Sequence, residues 1–514
     1  MNDKIRNRLA RSKRRVLKRI EENDNSGCEA PMLTASNIHY ELADRTRAIA
    51  AGGIGAMHLL AKRVGLVEAI DKRLHLLKVH LPYHESDHVL NIAYNLLAGG
   101  GCLEHLELRR NDEVYLDALG ARRIPDPTTA GDFCRRFDER AIDILQEVFN
   151  ETRLNIWRQQ PEAFFEEAKL DADGSMVETT GECKEGIDIN YQGQWGYHPL
   201  MVSLANTAEP LYIVNRSGNR PSHERAGEYL DRAIALCRRA GFRRITLRGD
   251  TDFTQTAKLD EWDDAGDVRF VFGIDAMPNL YEIVENLPET AWKPLKRRQK
   301  YEVTTEPRSR PPNVKDQIVQ QRGFKQYRLQ NEYVAEFDYS PALCKKTYRV
   351  VVVWKDIGVT QGQKTLFDNS KCFFYITNKT KGECSAAEVV FEANDRCDQE
   401  NLIGQTKGGV RSLAAPLDSL VSNWAWMVIA SLAWSLKAWS ALLLPESGRW
   451  KEKHAVEKRT LLRMDFATFR NALMQMPAQI VRGGRRIVYR LLSWNPWQPV
   501  FFRLLDQLRL PMIV

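Results

Sequence analysis

The feature that most limits how this chain can fold is a set of three acidic residues that lie far apart in the sequence. Asp173 and Asp250 each end a short apolar segment of strand-like character, and Glu400 lies in a charged run much further along. A fold that brings these acids together must set two strand ends side by side and hold a helix next to them. We therefore predict an acidic triad of Asp173, Asp250 and Glu400.

The run around Glu400 has the spacing R-x3-E-x6-K, formed by Arg396, Glu400 and Lys407. Steps of four and seven residues return to nearly the same side of an α-helix, so the three charges would share one helical face. A carboxylate framed by two cations suits a metal ion together with a phosphate. We predict that Arg396 and Lys407 bind DNA phosphates, for which arginine offers a planar fork; an ordinary solvated helix face is the alternative.

Strand and helix patterns between residues 168 and 274 predict an α/β fold. In chain order they read β-β-β-α-β-α-β, the skeleton of a ribonuclease-H-like mixed sheet with helices on both faces. The ends of the first and fourth strands are neighbours in that sheet. The predicted segments are strands Lys169–Asp173, Pro199–Leu204 and Leu211–Arg216, helix Ser222–Ala240, strand Arg244–Arg248, helix Thr254–Ala265 and strand Val268–Ile274.

The rest of the chain divides by the kind of element that its pattern predicts. Helical spacing dominates before residue 160, strand-like runs rich in Tyr and Val dominate between 275 and 371, and helices return afterwards. The predicted domains are a helical DNA-binding region with a basic arm (1–160), the first part of the core (161–274), an all-β insertion (275–371), the second part of the core with the catalytic helix (372–445) and a helical C-terminal region (446–514).

Two neighbouring acids compete for the role of Asp173 and Asp250. Asp171 lies two residues before Asp173, and residues two apart share one face of a strand, so geometry leaves Asp171 open as the first metal ligand. We favour Asp173, because Asp173-Gly174-Ser175 resembles the first acidic motif of ribonuclease-H-like enzymes. Asp252 falls past the strand end and is better explained as a helix N-cap.

The informative feature of the basic residues is a local cluster near the N-terminus rather than the net charge of the chain. The net charge is only +7, but nine cations and no acid lie between Lys4 and Arg19. A local field of this kind attracts phosphates, which makes Arg14 and Arg15 candidate DNA contacts, although a solvated arm explains the run equally well. Arg135 and Arg136 lie on a short helix that could serve as a recognition helix; a plain surface helix is the alternative.

A zinc peptidase is the main alternative from another class. His84-Glu85-Ser86-Asp87-His88 matches H-E-x-x-H, whose two histidines can bind zinc from one helix. No third ligand follows at a fixed spacing, so we interpret the match as a polar helix start. A DNA-binding protein with an inactive nuclease-like domain is the other alternative.

Cysteine usage and hydropathy predict a cytoplasmic protein without a membrane partner. The nine cysteines are scattered singly, so the sequence supports neither a zinc ribbon nor a disulfide framework. The N-terminus lacks the apolar core of a secretory signal. The segment Ser419–Leu436 carries no charge, but it holds Asn423 and several serines and is only about as long as the shortest membrane span. We predict a buried core helix there.

The charged run and the two upstream acids carry a family resemblance. The chain resembles bacterial insertion-sequence transposases of the DDE type, in particular the insertion-sequence 1380 group, with the layout of the insertion-sequence 4 superfamily. The signature of that superfamily, Y-x2-R-x3-E-x6-K, maps onto Arg396, Glu400 and Lys407, with Ala393 at the tyrosine position. The resemblance implies an enzyme that cuts duplex DNA at terminal inverted repeats and joins the ends to target DNA, as a homodimer in the DNA complex.

The chemistry of the three carboxylates is consistent with that resemblance. Three hard oxygen ligands that converge from different elements can bind two Mg²⁺ ions, with Mn²⁺ as a substitute. A pair of such ions supports in-line phosphoryl transfer by stabilising both the attacking and the leaving oxygen. We therefore expect Asp173, Asp250 and Glu400 to act as metal ligands and catalytic residues.

Overall fold

A computed structural model provides the structure of the chain. It describes residues 3–23, 38–40, 46–80, 82–297, 311–361, 364–483 and 486–510. Residues 298–310 of the predicted all-β insertion lie outside these ranges. The helices are α1 (Asp3–Asn23), α2 (Ile54–Arg63), α3 (Leu66–Arg73), α4 (Glu85–Leu97), α5 (Leu106–Arg110), α6 (Glu113–Leu119), α7 (Pro127–Arg135), α8 (Glu139–Trp157), α9 (Ala226–Ala240), α10 (Thr256–Asp264), α11 (Pro278–Glu285), α12 (Val314–Gln321), α13 (Ala386–Asp395), α14 (Cys397–Gly404), α15 (Leu420–Leu442), α16 (Lys451–Arg463), α17 (Phe466–Phe469) and α18 (Gln498–Leu508).

The strands are short in the first half of the chain, and the three longest strands lie between residues 325 and 377. They are β1 (Ala48–Ile49), β2 (Ala168–Gly174), β3 (Val177–Glu178), β4 (Asp188–Ile189), β5 (Trp195–Tyr197), β6 (Leu200–Leu204), β7 (Glu209–Val214), β8 (Ile245–Gly249), β9 (Val268–Ile274), β10 (Lys293–Pro294), β11 (Lys325–Tyr339), β12 (Tyr348–Gln361), β13 (Lys364–Thr377), β14 (Ala478–Gly483) and β15 (Arg486–Leu491).

The chain forms two compact units. The first unit consists of Met1–Phe164, Ser175–Arg220 and Asn401–Val514, and the second consists of Phe165–Gly174 and Pro221–Glu400.

A mixed sheet organises the second unit. Within it the strands follow the order β10-β11-β12-β13-β9-β8-β2, antiparallel from β10 to β9 and parallel from β9 to β2. Helix α9 packs on β2 and β8, and helix α13 packs on β9 and β11 to β13. The fold is therefore mixed α/β, and the sheet places the ends of β2 and β8 next to each other, as the strand order predicts.

The segment 275–371 differs from the all-β insertion that its sequence suggests. It contains helices α11 and α12, and its strands β10, β11 and β12 belong to the same sheet as the core strands, which β13 joins where Phe374, just after the segment, lies opposite Ile274 of β9. Both helices begin at residues that favour a helix start: Pro278 is at the first position of α11, and the Asn313 side chain accepts hydrogen bonds from the first turn of α12. The surrounding runs rich in Tyr and Val favour strands, and for this reason the sequence predicted strands rather than these two short helices.

Helix α9 begins later than predicted. Ser222 does not cap it; the helix starts at Ala226, because Arg225 adopts a left-handed conformation with φ of 63° that an α-helix cannot include. Its predicted end at Ala240 is confirmed, since Gly241 has φ of 96° and terminates the helix as a left-handed C-terminal glycine.

Helix α15 forms the centre of the first unit. It is long and apolar enough to cross a membrane by length and composition, yet its most apolar window is entirely buried by helices α2, α4, α7, α8 and α16 and by strand β7. The indole N–H groups of Trp434 and Trp439 donate to Ala208 O at 2.7 Å and to Glu209 Oε1 at 2.9 Å. The helix is thus a core helix of this unit, as predicted.

Two small sheets complete the first unit. One has the order β3-β5-β4, and the other has the order β1-β14-β15. The C-terminal region therefore contains a β-hairpin in addition to its predicted helices.

Candidate active site

The parallel pairing of β2 with β8 positions the first two acids. Asp171 lies opposite Arg248 in the register, so Asp173 near the end of β2 and Asp250 just after β8 lie at the same edge of the sheet. The Asp250 side chain caps the short turn that follows by accepting a hydrogen bond from Asp252 N at 3.1 Å. The residue that caps this turn is Asp250, whereas the sequence favoured Asp252.

All three predicted acids converge on one guanidinium. Arg396 Nη1 lies 2.9 Å from Asp173 Oδ2, and Arg396 Nη2 lies 3.9 Å from Asp250 Oδ2 and 3.6 Å from Glu400 Oε1. Residues from β2, the end of β8 and the end of α13 with the start of α14 therefore form a single cluster. Sequence spacing indicated the members of this cluster but not that Arg396 would lie at its centre.

The cluster is buried on one side and open on the other. The side chains of Asp173 and Arg396 are 15% and 16% exposed, whereas those of Asp250 and Glu400 are 39% and 61% exposed. The open side of the cluster is therefore the side of Glu400.

The electrostatics of the cluster favour binding of a cation. Burial raises the pKa of Asp173 to about 6; Arg396 opposes this shift and the neighbouring Asp250 adds to it. Burial also raises the pKa of Asp250, again against the effect of Arg396. Carboxylates that are desolvated and lie close to one another carry unfavourable negative charge, and a bound cation relieves it.

The donor chemistry of the cluster fits Mg²⁺. Three carboxylates supply hard oxygen ligands, and all of them already face one positive group. In the described part of the chain, no three His, Cys, Asp or Glu side chains are spaced to hold an ion without rearrangement. The fit therefore requires the Arg396 guanidinium to move away from the carboxylates.

Asp171, the competing first ligand, is occupied by an ion pair. Arg248 Nε and Nη2 donate to Asp171 Oδ1 and Oδ2 at 2.7 Å and 2.8 Å, and the side chains are 3% and 0% exposed, respectively. Both carboxylate oxygens thus bind a guanidinium inside the sheet. The sequence carries an arginine two residues before Asp250, but the pattern within one strand does not identify its partner in another strand.

The helix that was expected to carry three charges on one face is interrupted. Arg396 ends α13, Glu400 lies in the first turn of α14, and Lys407 lies in a π-helical turn, Gln405–Gly409. In the first unit, Lys407 Nζ donates to Met176 O at 2.6 Å, three residues after Asp173 in the chain. The expectation of one regular helical face is therefore wrong, because the chain changes from α to π geometry between Glu400 and Lys407.

The H-E-x-x-H match forms a helix start. His84 N donates to Asp87 Oδ2 at 2.9 Å, and Glu85 Oε1 accepts from the backbone N–H groups of Leu76 and Leu77 at 3.0 Å. His88 is buried and stacks on Phe133 with ring centroids 4.3 Å apart.

Burial lowers the pKa of His88 to about 4. The geometry agrees with our interpretation of the motif as a polar helix terminus.

The other predicted DNA contacts are exposed side chains of the first unit. Arg14 and Arg15 are exposed on α1. Arg135 forms ion pairs with Asp132 at 2.9 Å and Asp418 at 3.0 Å, and Arg136 is the C-cap of α7. A DNA phosphate would have to compete with two carboxylates for Arg135, so Arg136 is the more accessible cation of this pair.

A family comparison identifies the class of protein to which this site belongs. Residues 43–512 match the model of the family described as transposase DDE domain group 1. The chain belongs to this family. The family implies a DDE transposase, a metal-dependent enzyme that cleaves DNA and transfers strands. The predicted DDE class is thereby confirmed.

Two further comparisons add little to the assignment. The chain is similar to a solved structure described as a piggyBac transposase synaptic complex with hairpin DNA, with 11% identity, 83% of this chain and 82% of that chain covered, and a TM-score of 0.35. No curated protein matches the chain. The assignment rests on the family match.

Proposed function

We propose that this chain is the transposase of a bacterial insertion sequence of the 1380 group, with a ribonuclease-H-like catalytic core. It cuts at the terminal inverted repeats of its element and joins the ends to target DNA, as a homodimer in the DNA complex and in the cytoplasm. The observation that carries the proposal is the convergence of Asp173, Asp250 and Glu400 on one cation in a chain of the DDE family.

We assign the metal-ligand and catalytic roles to Asp173, Asp250 and Glu400. Two Mg²⁺ ions, or Mn²⁺ in their place, would activate the attacking oxygen and stabilise the leaving oxygen. Asp173 is chosen over Asp171, because both oxygens of Asp171 already accept hydrogen bonds from Arg248. Asp250 is held by the turn that it caps.

Arg396 and Lys407 are assigned to the DNA phosphates. A guanidinium that leaves the carboxylates can donate two parallel hydrogen bonds to a phosphate at the open side of the cluster. Lys407 donates to the backbone that follows Asp173 and so would position that segment as well as carry positive charge. Positioning of this kind acts on the rate of phosphoryl transfer more than on DNA affinity.

The experiment that tests this proposal uses a labelled duplex taken from the two flanks of the reading frame, incubated with Mg²⁺. Wild-type protein is expected to cut at defined positions, whereas Asp250→Asn and Glu400→Gln bind the duplex and do not cut. Asp252→Asn is the matched control, because it makes the same chemical change two residues from Asp250 in an exposed side chain.

Two results would reject parts of the proposal. Cleavage at wild-type rates by Asp250→Asn or Glu400→Gln would remove these residues from the catalytic site. Sequence-specific binding of the duplex by wild-type protein, without any cleavage in Mg²⁺ or Mn²⁺, would favour a DNA-binding protein with an inactive nuclease-like domain.

A further inference from the structure

A β-hairpin near the C-terminus has two faces of different character. Strands β14 and β15 pair antiparallel, with Gln479 opposite Arg490, Val481 opposite Val488 and Gly483 opposite Arg486. Because side chains alternate along a strand, these six residues share one face, which we call the outer face. Arg486 and Arg490 are exposed on it.

The opposite face holds the hairpin to the first unit. Tyr489 OH donates to Ala118 O at 2.7 Å, and a Cβ on Gly55 would lie 2.5 Å from the Tyr489 ring, so this ring packs against the backbone of α2. Ile480 is buried. The hairpin is therefore fixed in place on one side and presents its outer face as a rigid surface.

A groove lies against the opposite face of the hairpin, because its lining includes Ile487, Tyr489 and Leu491. It has a volume of about 910 Å³, and its lining includes Lys62 from α2, Arg486 from β15 and Arg509 at the end of α18. No aspartate or glutamate is among its lining residues. Leu59 and Phe502 supply apolar lining between the cations.

These cations lack carboxylate partners in the part of the chain that the structure describes. Lys62, Arg486, Arg490 and Arg509 are exposed and form no ion pair there, whereas Arg482 on the opposite face pairs with Asp117 at 2.7 Å. Unpaired cations on a rigid surface without acids create a local positive potential that attracts polyanions.

The geometry points to duplex DNA as the partner, and we propose that the outer face of the β14–β15 hairpin, with its exposed Arg486 and Arg490, is a DNA-docking surface. Arg486 and Arg490 are four residues apart on one strand, which separates their Cα atoms by about 13 Å, so they would reach different phosphates. The major groove of B-DNA also admits a two-stranded ribbon. The proposal rests on the proposed function, because a transposase must hold duplex DNA.

The test compares two double variants that remove the same charge. Arg486→Gln with Arg490→Gln removes the outer-face cations. Arg140→Gln with Arg158→Gln removes two exposed cations on and just after α8 and serves as the control. Affinity for a fluorescent duplex is measured by anisotropy at several salt concentrations.

Each phosphate contact contributes a slope of about −0.9 to the plot of log affinity against log salt. The outer-face variant is therefore expected to flatten the slope by about 1.8 and to weaken binding at 0.1 M salt by roughly 60-fold. The control should retain the wild-type slope. Arg486→Lys with Arg490→Lys should also retain the wild-type slope, because lysine keeps the positive charge that neutralises a phosphate.

Three outcomes separate this inference from the proposed function. Equal slopes for the outer-face variant and the control, with salt-dependent binding by wild type, would overturn the docking surface and leave the transposase assignment intact. An equal loss of slope in both double variants would also overturn it, because the effect would then reflect net charge. Absence of DNA binding by wild-type protein would overturn both proposals.

Discussion

The division of roles between Asp171 and Asp173 can be tested by two substitutions of the same kind. The side chain of Arg248 is only 3% exposed, and the Asp171 carboxylate accepts two of its hydrogen bonds. Asp171→Asn would remove this carboxylate and leave the guanidinium buried without its negative partner. Removing one partner of a buried ion pair costs about 3–5 kcal/mol, because the remaining charge stays desolvated and uncompensated. Asp173→Asn removes a more accessible carboxylate that has Asp250 as an acidic neighbour. Arg396 keeps Asp250 and Glu400 as partners in this variant, so we expect its stability to stay within about 1 kcal/mol of wild type.

Hydrogen exchange measured by mass spectrometry reads this difference locally. Peptides that cover β2 and β8 should show an opening free energy lower by about 3–5 kcal/mol in Asp171→Asn, which corresponds to a loss of protection of roughly 10²- to 10⁴-fold. Thermal unfolding of a unit of this size should shift by about 6–20 °C. Asp171→Leu combined with Arg248→Met should recover most of the loss, because replacement of both partners removes the buried charge.

Metal binding supplies the second half of the test. Mn²⁺ titration, followed by electron paramagnetic resonance in chelator-treated protein, should show weaker binding for Asp173→Asn and wild-type binding for Asp171→Asn at a temperature where both are folded. If Asp171→Asn keeps wild-type protection in β2 and loses Mn²⁺ binding, the first ligand is Asp171 and the reasoning from the ion pair is refuted.

Three further predictions use other parts of the chain. Burial lowers the pKa of Lys437 to about 7, below its value in the unfolded chain, so the unfolded state binds this proton more tightly and stability should rise by about 2 kcal/mol from pH 7 to pH 9. Lys437→Met should lack this rise in urea unfolding, and an identical pH profile would contradict the burial argument. Lys407→Ala should reduce strand transfer more than duplex binding, whereas His84→Ala should leave both unchanged; loss of activity and of bound zinc in His84→Ala, with Lys407→Ala silent, would favour a metallopeptidase. Deletion of residues up to Arg19 should weaken duplex binding and flatten its salt dependence, and an unchanged slope would exclude the arm from DNA contact.

Strand periodicity was sufficient to predict the sheet near the candidate site. Asp173 and Asp250 could be placed at neighbouring strand ends because β2 and β8 are apolar runs bounded by turn residues, and parallel pairing then follows from the helix between them. The long-range partner of Asp171 was not predicted. Pairing of Asp171 with Arg248 depends on the register of two strands that are distant in sequence, and residue patterns within each strand do not specify that register.

The geometry around Glu400 was harder to predict from spacing. A charge pattern that fits one helical face does not specify whether the helix is continuous, and here α13, α14 and a π-helical turn follow one another. The glycines at 404, 408 and 409 lower the local preference for a regular α-helix. Spacing therefore identified the residues, while the conformation of the backbone between them depended on context beyond the motif.

The position of Arg396 follows from packing two turns earlier in α13. Val389 and Val390 are fully buried, and they pack with Val271, Val351 and Val353 of the sheet. Arg396 lies seven residues after Val389 and so returns to the same side of the helix, which is the side that faces the sheet.

The side of α13 that packs on the sheet thus ends at Arg396, whose guanidinium reaches Asp173. Ala393, at the tyrosine position of the insertion-sequence 4 signature, also packs against this valine cluster. A tyrosine there would need space between the helix and the sheet. The small residue instead lets α13 lie close to the strands, and this close packing brings Arg396 to the end of β2.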